Sequence, residues 1–352
     1  MAVHRPTIEM LRQWVELACH APSVHNSQPW RWVFSGGDLH LELDTDRLVA
    51  TDPSRRQALI SCGAVLDHLG VAAAATGWRI LVDYLPNPND PLFVASVGFT
   101  PMTYVTVAHR RRAAAILTRR SDRLPFRAPQ NWPAAQLLLS RAAEGRPDED
   151  SAAIFDVLSH DDRTTLAEAS RLSEALRQYD SDYHAELDWW TGPFGDSDGI
   201  PHGSLVSAAE GQRVDVGRSF PVTHHRRDRR TEIAQDRSEI VVLSTYSNTR
   251  QDVVCCGQAL SRVLLEAEMS QLSTCPLTHV LEVDVSRDMV RSLVHRDHPQ
   301  VLVRVGQRTA DDDQPAPTPP PAHRRCIHSA CVVIAGNRVE DLCLYGSDLR
   351  HP

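Results

Sequence analysis

The 352-residue chain contains no lysine, so all 37 basic residues are arginine. Schiff-base chemistry and a Walker-type phosphate lysine are therefore excluded. Arginine's bidentate fork remains available for anions, although a GC-rich coding bias explains the same composition without any function. The chain also lacks a basic excess: 45 acidic residues against 37 basic ones give a net charge of −8, which predicts no nucleic-acid partner. Long apolar runs are missing too. Stretches such as Val71–Ala75 are broken by charge or glycine well short of the ~20 residues a bilayer requires. Met1–Thr7 is polar where an export signal needs a basic and then an apolar stretch. No membrane partner is expected, and a soluble, cytoplasmic protein is. Eight cysteines in so long a chain are no disulfide framework; Cys19, Cys62, Cys255 and Cys256 read as small buried hydrophobes.

At ~150 residues per domain the length suggests two units. Ile8, Leu11, Trp14, Val15 and Ala18 repeat at helical spacing and predict a helix over Thr7–Ala21, stopped by Pro22. Trp30–Phe34 and Leu39–Leu43 flank Ser35-Gly36-Gly37-Asp38 as a hairpin. Ser54–Thr76 is apolar on most faces and carries Gly63 and Gly70, which predicts a buried central helix approached closely by a neighbour. Strands fit Arg79–Tyr84 and Leu92–Phe99.

From about Val107 a similar order begins again. Helices fit Ala134–Ala143, Arg163–Tyr179, Asp252–Leu272 and Ser286–Val294; strands fit Ala153–Leu158, Glu239–Ser244, Thr278–Val283 and Val301–Val305. Trp189–Arg237 shows no sustained period and reads as a lid or loop. A proline-rich run from Asp311 to Pro321 should be extended and exposed. Beyond it, His323, Cys326, His328 and Cys331 match no standard zinc spacing, and no metal is expected.

Three segments carry chemistry. Pro22-Ser23-Val24-His25-Asn26-Ser27-Gln28-Pro29-Trp30 concentrates hydrogen-bonding side chains on a loop held by proline at each end. That arrangement suits the mixed donor and acceptor edge of a heterocycle; a plain helix C-cap with Asn in a left-handed conformation is the other reading. Arg119-Arg120-Ser121-Asp122-Arg123, followed by Leu124-Pro125-Phe126, makes a phosphate clamp or a solvated face. The second cluster, His224–Arg230, reads as solvated loop. Ser273-Thr274-Cys275-Pro276-Leu277 invites a nucleophile reading for Cys275, but no partnered base accompanies it.

The order of these segments resembles the FMN-dependent nitroreductases, marked by an arginine/serine motif, PSxxNxQPW and a glycine/threonine-rich turn ending TCP. PSVHNSQPWRW, Asp198-Gly199-Ile200-Pro201 and Pro299–Gly306 resemble the Acg-like actinobacterial branch in particular. The resemblance covers roughly residues 7 to 325. It implies an α+β nitroreductase fold of two fused homologous halves, 1–112 and 113–310, forming a single-chain pseudo-dimer, with the lid at about 188–237 and a tail at 311–352 that is atypical after 325. It implies that Arg119, Arg120, Ser121 and Arg123 hold the ribityl phosphate, with Arg324 and Arg325 where the family places a terminal basic pair. Pro22, Ser23 and Asn26 would line the isoalloxazine, assisted by Gln28 and Arg31, and Thr274, Cys275 and Pro276 would approach its reactive edge. A reciprocal site would need an arginine/serine motif near residue 1, a PSxxN loop after Ala143 and a TCP turn after Thr76. None is there, so one site is expected.

The resemblance implies an oxidoreductase in which FMN carries electrons from NAD(P)H to a nitroaromatic or quinone-type acceptor, with no side-chain acid or base required. Two rivals stay open: a flavin store whose lid excludes the nicotinamide, and an interaction protein with a vestigial site. Trp189 and Trp190 could cap a flavin ring by stacking or serve as core anchors. A monomer is expected, because fused halves already satisfy the interface.

Overall fold

A computed structural model describes residues 5–35, 37–145, 153–192, 199–221 and 228–309, and the backbone of 331–335 and 338–341. The first half runs α1 (Ile8–Ala18), β1 (Trp30–Ser35), β2 (Asp38–Leu43), α2 (Arg56–Ala75), β3 (Trp78–Tyr84) and β4 (Phe93–Pro101). Helix α3 (Val107–Thr118) leads into α4 (Trp132–Glu144), β5 (Ile154–Val157), α5 (Arg163–Arg177), α6 (Ser181–Thr191) and α7 (Ala208–Gln212). The chain continues through β6 (Glu239–Thr245), α8 (Arg250–Met269), β7 (Leu272–Leu277), α9 (Asp284–Val294) and β8 (His298–Gln307). Strands β9 (Cys331–Ala335) and β10 (Arg338–Asp341) return to the first half, where β9 lies parallel to β1.

The class is α+β, and the two halves share one topology. Leaving out β9 and β10, the first sheet is ordered β1-β2-β4-β3 and the second β5-β6-β8-β7, all neighbours antiparallel. Even the irregularity repeats: the register slips between Leu41 and Glu42 against β4, and between Leu243 and Ser244 against β8. Helices α2 and α8, each 20 residues long, form the seam between the halves.

Glycine makes that seam possible. A Cβ on Gly63 would lie 1.9 Å from the Val254 carbonyl oxygen, and one on Gly257 would lie 2.1 Å from that of Ile60. Each glycine thus faces the residue three positions before the other, as a pseudo-twofold axis between the helices requires. Most of α2 is buried, and Cys62, Cys255 and Cys256 are buried in these two helices and form no disulfide. Helix α2 is long and apolar enough to cross a membrane, but here it is the core helix.

Local signals explain most boundaries. Thr7 Oγ1 accepts from Met10 N to start α1, which buries Leu11, Trp14, Val15 and Ala18. Gly37, at φ +98°, closes the β1–β2 turn, with Ser35 opposite Asp38. Other expectations fail. The helix expected to reach Leu272 ends at Met269, because β7 begins there. The strand expected at Thr278–Val283 is instead a short 3₁₀ turn at His279–Leu281. Thr274-Cys275-Pro276 is therefore strand and not turn. Proline is tolerated because β7 is an edge strand, flanked outside only by a single bridge between Ser121 and Thr274. Helices α3 and α6 were not expected at all. Most of the tail lies outside the described residues, as do Arg324, Arg325, His323, Cys326, His328 and His224–Arg227.

Candidate functional site

A cavity of about 480 Å³ lies where the halves meet, within the usual ~300–1,000 Å³ of small-molecule sites. The loop after α1 supplies Pro22, Ser23, Val24 and His25, and α2 supplies Gln57, Ile60 and Ser61. From the second half come Ser121 and Arg123, the strand residues Cys275, Pro276 and Leu277, then Thr278, His279 and Arg304. The roof is α7 with the chain after it, through Phe220.

The loop after α1 is held in an uncommon shape. His25, Asn26 and Gln28 all have positive φ, between 50° and 59°, at a cost of order 1–3 kcal/mol each for non-glycine residues. Ser23 Oγ accepts from Gln28 N at 3.1 Å, and Val24 N donates to Ser61 Oγ at 3.3 Å. Such strain persists only where the surroundings fix it, and here the fixing groups are the motif's own serine and helix α2.

Ser121 and Arg123 reach the cavity because their segment runs extended beside β7, so alternate residues share a face. Asp122 between them turns away: its N–H donates to Thr274 O at 2.8 Å and its carboxylate meets Arg230 at 2.6 Å. Phe126 anchors the segment beneath Gly306, where a Cβ would come within 2.3 Å of it, and lies under the Arg304 guanidinium.

Six of the fourteen expected site residues line the cavity: Pro22, Ser23, Ser121, Arg123, Cys275 and Pro276. Arg324 and Arg325 lie outside the described residues, and the remaining six go elsewhere for identifiable reasons. Asn26 Nδ2 donates to Gly199 O at 2.9 Å, tying the loop to the chain after α6. Gln28 is buried in the strained turn. Arg31 lies on the outer face of β1 and pairs with Glu42 across the hairpin. Arg119 is buried at the C-cap of α3, Arg120 is exposed, and Thr274 faces Asp122. The tryptophans do not cap the cavity: Trp189 is 78% exposed and Trp190, 8% exposed, packs where Gly199 and Ile200 fold back on it.

Charge is distributed unevenly. Arg218 pairs with Glu282, and Arg304 with Asp236 at 2.6 Å. Arg123 makes no ion pair among the described residues; it stacks over Phe220 at 5.0 Å and reaches Ser204 O only at 3.4 Å. Burial lowers its pKa, so an arriving anion would restore the solvation that this cation has lost. Burial likewise pushes the His25 and His279 imidazoles down to about 3, with Arg218 adding to both, and raises the Cys275 thiol. Neither histidine nor the cysteine titrates near neutrality. Among the described residues the lining therefore offers hydrogen bonds and one uncompensated cation, and no general acid, base or thiolate.

The roof is pinned from several sides. Ser207 and Glu210 form a capping box on α7, and buried Glu210 accepts from Arg229 Nε at 2.9 Å and Nη2 at 2.7 Å. Ser170 Oγ and Glu174 of α5 meet Gly217 O and Ser219 N. Burial opposes the Glu282 charge, but Arg218 outweighs it and holds that carboxyl at about 2.

Sequence reasoning missed Gln57, Arg218, Phe220, Thr278, His279 and Arg304. Only their positions beside motifs hinted at them; His279 stands two residues beyond the TCP strand.

A second cavity, about 640 Å³, lies across the α2–α8 pair, beside β3. Ile80, Leu81 and Val82 stand there where β7 has Thr274, Cys275 and Pro276. Arg262 of α8 caps the end of α4, donating to Ala142 O and Ala143 O. Among the described residues no cluster of metal-ligand type is present.

No family model matches the chain. It is 52% identical over 315 residues, 89% of this chain and 93% of the other, to the Mycobacterium tuberculosis protein named "Putative NAD(P)H nitroreductase acg". It is 34% identical over 326 residues, 91% of each chain, to a second nitroreductase-named protein of that organism. Among solved structures, an FMN-bound nitroreductase of Bacteroides fragilis is 14% identical with TM-score 0.35, over 56% of this chain and 88% of that one. The NADPH complex of the FMN-dependent nitroreductase NfnB of Mycobacterium smegmatis is also 14% identical, with TM-score 0.36, over 58% and 90%. On the extent of the mycobacterial matches, this chain belongs to the nitroreductase family, in the branch that contains acg.

Proposed function

We propose that the cavity binds FMN and that the chain is an NAD(P)H-dependent reductase of nitroaromatic or quinone-type acceptors. The observation that carries this reading is Arg123: a desolvated guanidinium without a carboxylate, in a cofactor-sized cavity closed on its other side by the strained loop of the first half. A flavin phosphate supplies the missing charge. Bound there, FMN would supply two-electron transfer between a nicotinamide and an acceptor. The chain's residues do the rest. Arg123 and Ser121 hold the phosphate end, Pro22 and Ser23 with the β7 backbone bracket the ring system, and the roof excludes water. With His25 and His279 neutral and Cys275 a thiol, no side chain competes for protons or electrons. The reading includes halves 1–112 and 113–310, a monomeric chain and a cytoplasmic location.

The pinned roof favours a second reading, in which the chain stores flavin and the roof keeps nicotinamide away. One experiment separates them. The purified protein should be yellow, and anaerobic NADPH should bleach it. Photoreduction without bleaching by NADH or NADPH selects storage; a colourless protein that ignores added FMN removes both readings.

A further inference from the structure

We infer that the side-chain amide of Gln57 is a ligand contact, its Nε2 donating to an acceptor on the heterocycle of a planar ligand in the cavity; this rests on the proposed flavin reading. Gln57 is the second residue of α2, and Gln57, Ile60 and Ser61 all line the cavity. Spacings of three and four residues put them on one helix face, so the face that carries the glutamine is the cavity face.

Every polar group of the residue but one is committed. Its backbone N–H donates to Asp52 Oδ2 at 2.8 Å, its carbonyl accepts from Ser61 Oγ at 2.7 Å, and its Oε1 accepts from Thr278 Oγ1 at 2.6 Å. Thr278 belongs to the other half and also lines the cavity, so this bond across the seam fixes which way the amide turns. Among the described residues Nε2 has no hydrogen-bond partner, and it is not one of the sealed orphan atoms: it keeps accessible surface. Since Gln57 as a whole is only 3% exposed, that surface opens on the cavity. Other polar groups of the lining are occupied. Arg218 and Arg304 pair with carboxylates. His279 is clamped by α5, its Nε2 2.8 Å from Ser170 Oγ and its carbonyl accepting from Ser173 Oγ at 2.8 Å, and its Nδ1 is sealed. An amide nitrogen carries two donors, which suit a carbonyl oxygen or an unprotonated ring nitrogen. A flavin presents both on its pyrimidine side. The end of the cavity agrees: Ser61 Oγ also accepts from Val24 N of the strained loop, so Gln57 belongs with the ring end and not with Ser121 and Arg123.

Two substitutions divide the functions of the amide. Gln57→Leu removes both ends. Gln57→Glu keeps an oxygen for Thr278 and replaces the donor by an acceptor, and an acidic group is tolerated in the first turn of a helix. Flavin fluorescence follows FMN and riboflavin binding to the apo full-length chain at about pH 8, where the new carboxylate is ionised; the midpoint potential of the bound flavin and the melting temperature of the apoprotein are measured alongside. Gln57→Leu is expected to weaken FMN and riboflavin alike by about fivefold, and Gln57→Glu by about twentyfold, since an anionic oxygen then faces the acceptor. The midpoint potential should fall from wild type to Gln57→Leu to Gln57→Glu, because the reduced, anionic ring loses a donor and then meets a negative charge. Unchanged affinity in both variants overturns the inference. So does weakening of FMN with riboflavin unaffected, which places Gln57 at the phosphate, and so does equal weakening with a shared drop in melting temperature and an unmoved potential, which marks a structural role. Should Gln57→Leu fail to fold, Gln57→Glu carries the test alone, and wild-type affinity and potential there overturn the inference. Wild-type chain that binds neither flavin overturns the functional reading and this contact together, whereas binding by wild type with unaffected variants overturns the contact alone.

Discussion

Replacing Arg123 by glutamine tests the electrostatics of the cavity directly. Arg123 is the cavity cation with no ion pair among the described residues, and its partners there are the Phe220 ring at 5.0 Å and a long contact to Ser204 O. Losing the ring contact costs about 0.5–1 kcal/mol, offset by no longer burying a cation. The apoprotein should therefore keep its stability within about 1 kcal/mol. A hydrogen bond to a charged group contributes about 1.5–3 kcal/mol, so FMN should bind roughly 10- to 150-fold more weakly. Riboflavin, which has the ring and ribityl chain but no phosphate, should be unaffected. Paired titrations of FMN and riboflavin into wild type and Arg123→Gln read this as a collapsed preference for FMN. Equal weakening of both ligands, or none for either, would refute the assignment of Arg123 to the phosphate. The same change at Arg218 or Arg304 would be uninformative, since each balances a buried carboxylate whose exposure as an unpaired charge costs about 3–5 kcal/mol in itself.

Gly63→Ala should cost about 3 kcal/mol or more, or abolish soluble expression, because the new methyl meets the backbone of α8, which cannot yield as a side chain would; chemical denaturation measures it. Stability should fall as pH drops below about 6.5, since His25 and His279 stay neutral in the fold down to about 3 while the unfolded chain takes up protons, at up to about 1.4 kcal/mol per pH unit for each. The double variant His25→Asn, His279→Asn should flatten melting temperature against pH between 6.5 and 5. Further acidification from about 4.5 toward 2 should loosen the roof, as Glu282 and Glu210, held at about 2 by Arg218 and Arg229 against the effect of burial, lose their charge; flavin release on a pH ramp follows it. Light scattering should give the mass of one chain, and a stable mass of two would count against fused halves that complete each other's interface.

The parts of the site legible in the sequence are those set by neighbours in the chain. Pro22 and Ser23 announce themselves through a proline-bounded loop, and Ser121 and Arg123 through a run of arginines and a hydroxyl just before Leu124-Pro125-Phe126. Gly63 is legible because a small residue inside an apolar helix has few other uses. What stayed hidden depends on distant partners. The roof has no period because it is held by pairs such as Arg218 with Glu282 and Arg229 with Glu210, not by an amphipathic face. Asn26 looks like a ligand contact until Gly199, far along the chain, takes its amide. His279 reads as part of an apolar strand, and only the short 3₁₀ turn that it opens brings it to the cavity wall. Thr274–Pro276 misleads because proline signals a turn in most settings, and edge position in a sheet cannot be read locally.

One asymmetry separates the two halves of the repeated architecture. In the first half, β1 and β2 are joined by a two-residue turn closed by Gly37; in the second, the equivalent connection between β5 and β6 spans residues 158–238 and contains α5, α6 and α7. That insertion supplies the roof, the clamp on His279 and the partners of the arginine segment, and it can cover only the cavity beside its own half's β7. Among the described residues the cavity beside β3 has no such connection over it, and its lining differs too: hydrophobic side chains stand in place of the TCP strand, and Arg262 caps α4. A single long connection is therefore enough to make two cavities of one repeated topology chemically unlike, one lined by arginines and hydrogen-bonding groups, the other by β3 side chains and the arginine that caps α4.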